Sequence, residues 1–453
     1  MNNDKTKDLF ESMPVPKAVR IMAVPTIIGQ LIILIYNMAD TFFIGRTNDP
    51  YMVAAASLIL PVFNITLSIA SIAGVGGGAL ISRLLGEGRS DEAKKVCSFS
   101  VYFSVTLALL FSAGVFLCMR PLLLLLGAGS ETYAFARAYA LWVIVIGGLP
   151  TIMTNVLSNL VRSIGESRKA GFGVTMGGII NMILDPVFMF LLLPEGKEII
   201  GAGAATCLSN CISCGYFLIV MKKSPPDSVL HLTSVRQLPE KNSITKIFTV
   251  GLPTAIATLL FDLDYIVLDK LMSAYTDIAL AAVGIVLKVE RLPLNVGIGI
   301  CQGMVPIVAY NYASGNRERM KSTERFSLLC GIVCAVCSIT LYEIFAPQIM
   351  HVFISEAKTV ALGTRFLRIR SPATVFMFMS FFHVHLFNGY GRGKEALFLG
   401  VMRWAVFNIP MLFLLNRLLG MYGLVWSQLA ADICTVLLSF YVHRRFLRKQ
   451  TEN

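Results

Sequence analysis

The chain has 453 residues, of which 55% are hydrophobic and 15% charged, against about 25% charged in a soluble domain. Mean hydropathy is +0.70, and apolar runs of about 20 residues, each enough to span a ~30 Å hydrocarbon core, recur from end to end. The net charge of +12 is confined to short loops, which fits a positive-inside bias and argues against nucleic-acid binding.

The start, MNNDKTKDLFESMPVPKAVR, is polar, and the apolar run after it is too long for the core of a cleavable signal peptide. The first spanning helix is expected to act as an uncleaved insertion signal. Apolar segments follow near 17–44, 52–82, 96–118, 134–160, 170–193, 200–221, 245–270, 278–309, 324–345, 358–386, 395–418 and 421–443. They predict an all-α polytopic membrane protein of about twelve spans. With an even count both chain ends share one side. That side carries 26 Lys and Arg, against nine opposite: Arg46, Arg120, Arg137, Lys197, Lys358, Arg365, Arg368, Arg370 and Arg417. Both termini are therefore expected in the cytoplasm.

Residues 222–243, KKSPPDSVLHLTSVRQLPEKNS, form the longest polar connection and carry three prolines. They read as a cytoplasmic linker between six-helix lobes at 1–221 and 244–453. The halves look related. Pro61 to Gly88 aligns with Lys288 to Gly315 at an offset of 227, pairing Ala54-Ala55 with Ala281-Ala282 and Gly76 with Gly303. Pro25 and Pro253 match within one residue. Repeated six-helix halves around a central cavity are a transporter plan.

Asp40 and Asp185 sit inside apolar stretches, where a carboxylate costs roughly 2.5–3.5 kcal/mol on the mildest scale. Tyr36 and Asn181 precede them by four residues, on the same helix face. At 1.5 Å per residue, Asp40 is about 30 Å beyond Arg20 and Asp185 about 24 Å beyond Lys169. Thr206 lies five residues from Gly201. All can meet in the outer half of the first lobe, where such oxygen ligands suit Na⁺ or a proton. Asp40, Asp185, Asn181 and Thr206 are the candidate Na⁺ ligands. The alternative is that each Asp braces a helix end near the headgroups.

Asn155 and Asn159 are further candidates for a substrate cavity, or else make packing hydrogen bonds between helices. Asp262, Asp264 and Glu290 also qualify, unless they form internal pairs with Lys. His383 and His385 either move protons or are hydrogen-bonded packing. Two CxxxCxxC triplets, Cys207–Cys211–Cys214 and Cys330–Cys334–Cys337, lie in apolar helical runs. There the spacing is one helix face, and no metal cluster is expected. No HExxH or paired-aspartate catalytic set is present, and nothing reads as a channel filter.

Taken in order, ADTFFIG, VAAASLILP, GGALISRLLGEGRSDEAKK, NLVRSIGESRKA, NMILDPVFMF, GAGAATCLS and the GLP of 251–253 resemble the multidrug and toxic compound extrusion (MATE) family across essentially the whole chain. The resemblance implies two six-helix lobes arranged in a V and export of lipophilic, often cationic compounds driven by H⁺ or Na⁺. No cofactor or enzymatic activity is implied, and a monomer is expected. Asp40 matches the family's DT motif. Asn181 and Asp185 match the NxxxD of the bacterial DinF-type and MepA-like branches, whose ion site is in the N-terminal lobe, and Tyr36 and Thr206 match positions linked to it. The wider superfamily offers one alternative, a flippase for lipid-linked precursors, which would have a more basic cavity.

Overall fold

A computed structural model describes residues 6–451, and among these the protein is helical with no strand. The helices are α1 (Val15–Gly45), α2 (Pro50–Gly86), α3 (Ser90–Leu117), α4 (Ser130–Ile146), α5 (Gly148–Ser163), α6 (Ser167–Leu192), α7 (Glu198–Lys222), α8 (Lys241–Met272), α9 (Asp277–Ala313), α10 (Arg317–Phe353), α11 (Ala357–Arg370), α12 (Ala373–Gly389), α13 (Gly393–Leu419) and α14 (Met421–Thr451). Ten are long and apolar enough to cross a membrane alone. α4 and α5, bent by 44° at their junction, are apolar enough together to count as an eleventh if the pair is one span. The tenth expected span, 358–386, is split into α11 and α12 at Ser371-Pro372. Neither half, 14 and 17 residues long, is long enough to cross a membrane alone, and the first carries Arg365, Arg368 and Arg370.

Local chemistry sets the boundaries. Asp49 accepts a hydrogen bond from Tyr51 N (2.8 Å) ahead of Pro50 in the first turn of α2. Thr276 and Asn316 cap α9 and α10 in the same way, supplying acceptors to amides that lack a helical partner. Gly88 and Gly315, paired by the internal repeat, both close their turns at positive φ (73° and 78°), where glycine carries no Cβ penalty.

α1–α7 and α8–α14 form two lobes, each with its own apolar clusters. A further cluster joins Leu9, Phe10, Ala18, Val19, Met22 and Ala23 to Ile307 and Tyr310 across the lobes. Phe10 packs on Tyr310 and Phe446 on Tyr312, so the segment ahead of α1 and the last turns of α14 lie at one end of the molecule, the terminal face.

The lobes meet backbone to backbone in the half nearer that face. A Cβ on Gly251 of α8 would lie 1.9 Å from Ile72 O of α2, and one on Gly303 of α9 would lie 2.6 Å from Ala23 Cα of α1. Gln30 bridges the same seam to Gln302 at 3.0 Å. Gly251→Val should push α8 off α2 and cost about 1–3 kcal/mol or more. A fall of the thermal midpoint by several degrees checks this, and an unchanged midpoint speaks against the close approach.

The connection after Lys222 is less detached than its polar composition implies. Val229 and Leu230 are buried in the N-terminal core. Lys94 Nζ donates to Pro226 O (2.6 Å), Tyr102 OH to Thr233 O (2.8 Å) and Thr233 N to Ser98 Oγ (2.8 Å), so the segment is stitched along α3.

Candidate functional site

α1, α4, α6 and α7 converge on one buried polar cluster. Gly177 and Gly178 remove bulk from α6, so that it approaches Ser213 of α7 on one side and Ile32 and Tyr36 of α1 on the other. This brings Asp185, fully buried, and Asn181 beside Thr206. Asn181 Nδ2 donates to Asp185 Oδ1 (3.2 Å) and reaches Thr206 Oγ1 (3.4 Å). Asp40 is near enough for its charge to act on Asp185, and both act on Tyr36. Tyr139 of α4 donates to Asp40 Oδ2 at 3.4 Å.

Asp40 Oδ1, Asp185 Oδ2 and Asn181 Oδ1 are buried and accept no hydrogen bond. Buried carboxylate oxygens without donors are costly. Two neighbouring carboxylates cannot both stay charged without a proton or cation between them. Oxygens of this kind, with the hydroxyl of Thr206 beside Asn181, are those a hard monovalent cation or a shared proton takes. Past the cluster Pro186 ends the regular α-helical hydrogen bonding, and a wide π-helical turn follows over Phe188–Leu192. Such turns are frequent at functional positions.

Asn155 and Asn159 are not in this cluster. Each donates to a backbone oxygen four residues back on α5, and Asn159 Oδ1 accepts from Arg162.

The candidates of the second lobe divide. Asp262 is half-buried, beside Asn64 of α2 and near Arg291. Asp264 and Glu290 lie inside the lobe instead. Glu290 pairs with Arg370 at 2.8 Å rather than with a lysine, and both side chains are buried. Asp264 accepts from Asn408 Nδ2 (2.7 Å), which also reaches Gln428; Gln428 donates to Asp432 (2.7 Å), and Asp432 pairs with Arg403 at 2.9 Å. His383 is buried with Nδ1 on Met379 O (2.7 Å) and its ring beside His443.

Tyr139, Asn408, Gln428, Asp432, Arg370 and Arg403 were not among the sequence candidates. The signal was present for one pair. Gln428 and Asp432 repeat, four apart in an apolar run, the amide–carboxylate spacing of Asn181 and Asp185.

Cys207, Cys211 and Cys214 follow one face of α7, the first buried and the second exposed. Among the described residues no group of three His, Cys, Asp or Glu converges to hold a metal ion. Replacing the triplet with Ala or Ser should leave most transport intact, checked by efflux. Stoichiometric iron or zinc in the purified protein would contradict this reading.

The MatE family model matches this chain twice, over residues 25–187 and 253–414, once in each lobe. The chain belongs to the MATE family. It is a membrane transporter rather than an enzyme. This MATE protein is 30% identical over 436 residues to a Multidrug export protein MepA of Staphylococcus saprophyticus, with 96% of this chain and 95% of the relative aligned. It is equally similar, over 434 residues, to the protein of that name from Staphylococcus aureus, covering 96% and 94%. Among solved structures, a MATE in complex with MaL6 superposes with a TM-score of 0.92 at 22% identity, over 99% of each chain. An outward-facing multidrug resistance MATE transporter gives 0.90 at 21% identity, over 98% of each. These likenesses give the fold: two helical lobes related by a repeat.

Proposed function

We propose that this MATE protein exports lipophilic, often cationic compounds across the cytoplasmic membrane by antiport with H⁺ or Na⁺. The observation that carries the coupling is the pair of the half-buried Asp40 and the fully buried Asp185, within each other's electrostatic reach and each with one buried oxygen lacking a donor. The relatives named Multidrug export protein MepA support the substrate class.

In this reading a proton or Na⁺ enters the N-terminal lobe and neutralises the aspartate pair, with Asn181, Thr206 and Tyr36 as neighbours. Loading relaxes the repulsion between the carboxylates and favours the state that releases drug to the far side. Departure of the cation restores the charge and favours drug loading. The lobes at 1–221 and 244–453, joined by 222–243, move against each other. Gln30 meets Gln302 and Asn64 meets Asp262 across the two lobes. Asp262 is the acidic group there that a cationic compound would meet.

Purified protein in vesicles loaded with ethidium tests the function. The proposal predicts dye release on imposing an ion gradient. Movement of lipid-linked precursors without dye release would favour the flippase alternative. Orientation is tested separately. Reporters fused at Asn453 and within 222–243 should both read cytoplasmic, and a signal from the opposite side at either point would overturn the topology.

A further inference from the structure

The residues ahead of α1 do more than lead into the membrane. Asp8–Ser12 form a wide helical turn that buries Leu9 and Phe10 at the seam of the two lobes. On the N-terminal side, Thr6 Oγ1 donates to Ile164 O (3.1 Å), and the side chains of Leu9 and Phe10 lie over Gly165, where even a Cβ would come within 2.9 Å of Leu9. On the C-terminal side the same turn is held by four polar contacts. Asn311 Nδ2 donates to Phe10 O (3.0 Å). Arg319 donates through Nε to Phe10 O (2.5 Å) and through Nη2 to Leu9 O (3.1 Å). Tyr310 OH donates to Glu11 Oε1 (2.5 Å). The Phe10 ring packs on Tyr310 with centroids 5.2 Å apart.

We propose that this segment is a strap which holds the terminal face shut and releases the C-terminal lobe once in each transport cycle. The inference rests on the transport reading, because it concerns the movement that reading requires. The strap is covalently continuous with α1 through Pro14, so it travels with the N-terminal lobe. Its polar contacts to the other lobe come from Tyr310 and Asn311 at the end of α9 and Arg319 at the start of α10. Separation of the lobes at this face must break those contacts together and expose Phe10. The carbonyls of Leu9 and Phe10, which Arg319 and Asn311 now satisfy, would then face water. The strap therefore biases a two-state equilibrium by contacts made in one state only, which is the physical requirement for a conformational control element.

The test uses the full chain in a background whose ten native cysteines are replaced and which still pumps ethidium. Spin labels at Arg168→Cys, beside the Gly165 turn, and Lys321→Cys, on the second turn of α10, report the lobe separation at the terminal face. Phe10→Ala combined with Arg319→Ala should enlarge the long-distance population by about fivefold or more. An unchanged distance distribution overturns the proposal. A second arm does not depend on the folding of weakened variants. Glu11→Cys with Tyr310→Cys, joined by a short bismaleimide, should stop efflux, while the unlinked protein pumps. Cross-linked protein that pumps at the unlinked rate also overturns it. Failure of the transport reading would instead show as absence of efflux from the parent.

Discussion

Asp185→Asn is expected to insert, fold and bind drug, yet to lose gradient-driven efflux down to the leak rate of empty vesicles. The side chain is fully buried, with one oxygen on Asn181 and the other without a donor. The amide keeps the shape and can keep an acceptor for Asn181, so the fold has little reason to change. What disappears is the charge that a proton or cation would neutralise. The variant is fixed in the equivalent of the loaded state and cannot complete the cycle. Asp40→Asn should behave alike, since its charge acts on the same pair. Efflux from reconstituted vesicles, beside equilibrium drug binding in detergent, separates the two properties. Wild-type pumping by both variants would remove the N-terminal site from the account and make Asp262 the next candidate.

The second large effect is expected in the other lobe. Arg403 lies between the rings of Trp404 (4.2 Å) and Phe381 (4.5 Å) and pairs with the fully buried Asp432. Arg403→Met fills similar space but leaves the buried Asp432 without its counter-ion and with only Gln428 as donor. Removing one partner of a buried pair costs about 3–5 kcal/mol. At about 1 °C per kcal/mol for a chain of this length the thermal midpoint should fall by about 3–5 °C. Arg403→Met with Asp432→Leu removes both charges and should recover most of the loss. If the single variant melts with the parent, the ion pair contributes nothing and the network is not what holds α13 to α14.

Much of this architecture was legible because the membrane imposes it. Lipid tolerates few backbone solutions, so apolar length alone marked the helices, with ends that miss by up to eight residues at Arg317–Phe353 and Met421–Thr451. The segment 358–386 read as one span but is broken at Ser371-Pro372, and its first half carries Arg365, Arg368 and Arg370. Arg370 is nevertheless buried, because Glu290 of α9 meets it, and no local pattern announces a partner 80 residues away. Asp40, Asp185 and Asn181 stood out because a charge in an apolar run is costly and the four-residue spacing fixes the face. Tyr139 did not, since a tyrosine near a helix end in a membrane protein is ordinary. The segment at 222–243 read as a polar linker by composition, and the two apolar residues that tie it down, Val229 and Leu230, are too few to raise a signal. The strap was hidden for the same reason: Leu9 and Phe10 are an isolated pair among charges.

The most direct test of the coupled-export account follows drug and ion in one preparation. Vesicles carrying the parent or Asp185→Asn are loaded with ethidium, and Na⁺ and H⁺ gradients are imposed separately while ion uptake and dye release are recorded. The account predicts that one gradient drives dye release in the parent, with uptake of that ion rising when dye is present, and that Asp185→Asn shows neither. Dye release from the parent that is independent of both gradients, or equal in the variant, would contradict it.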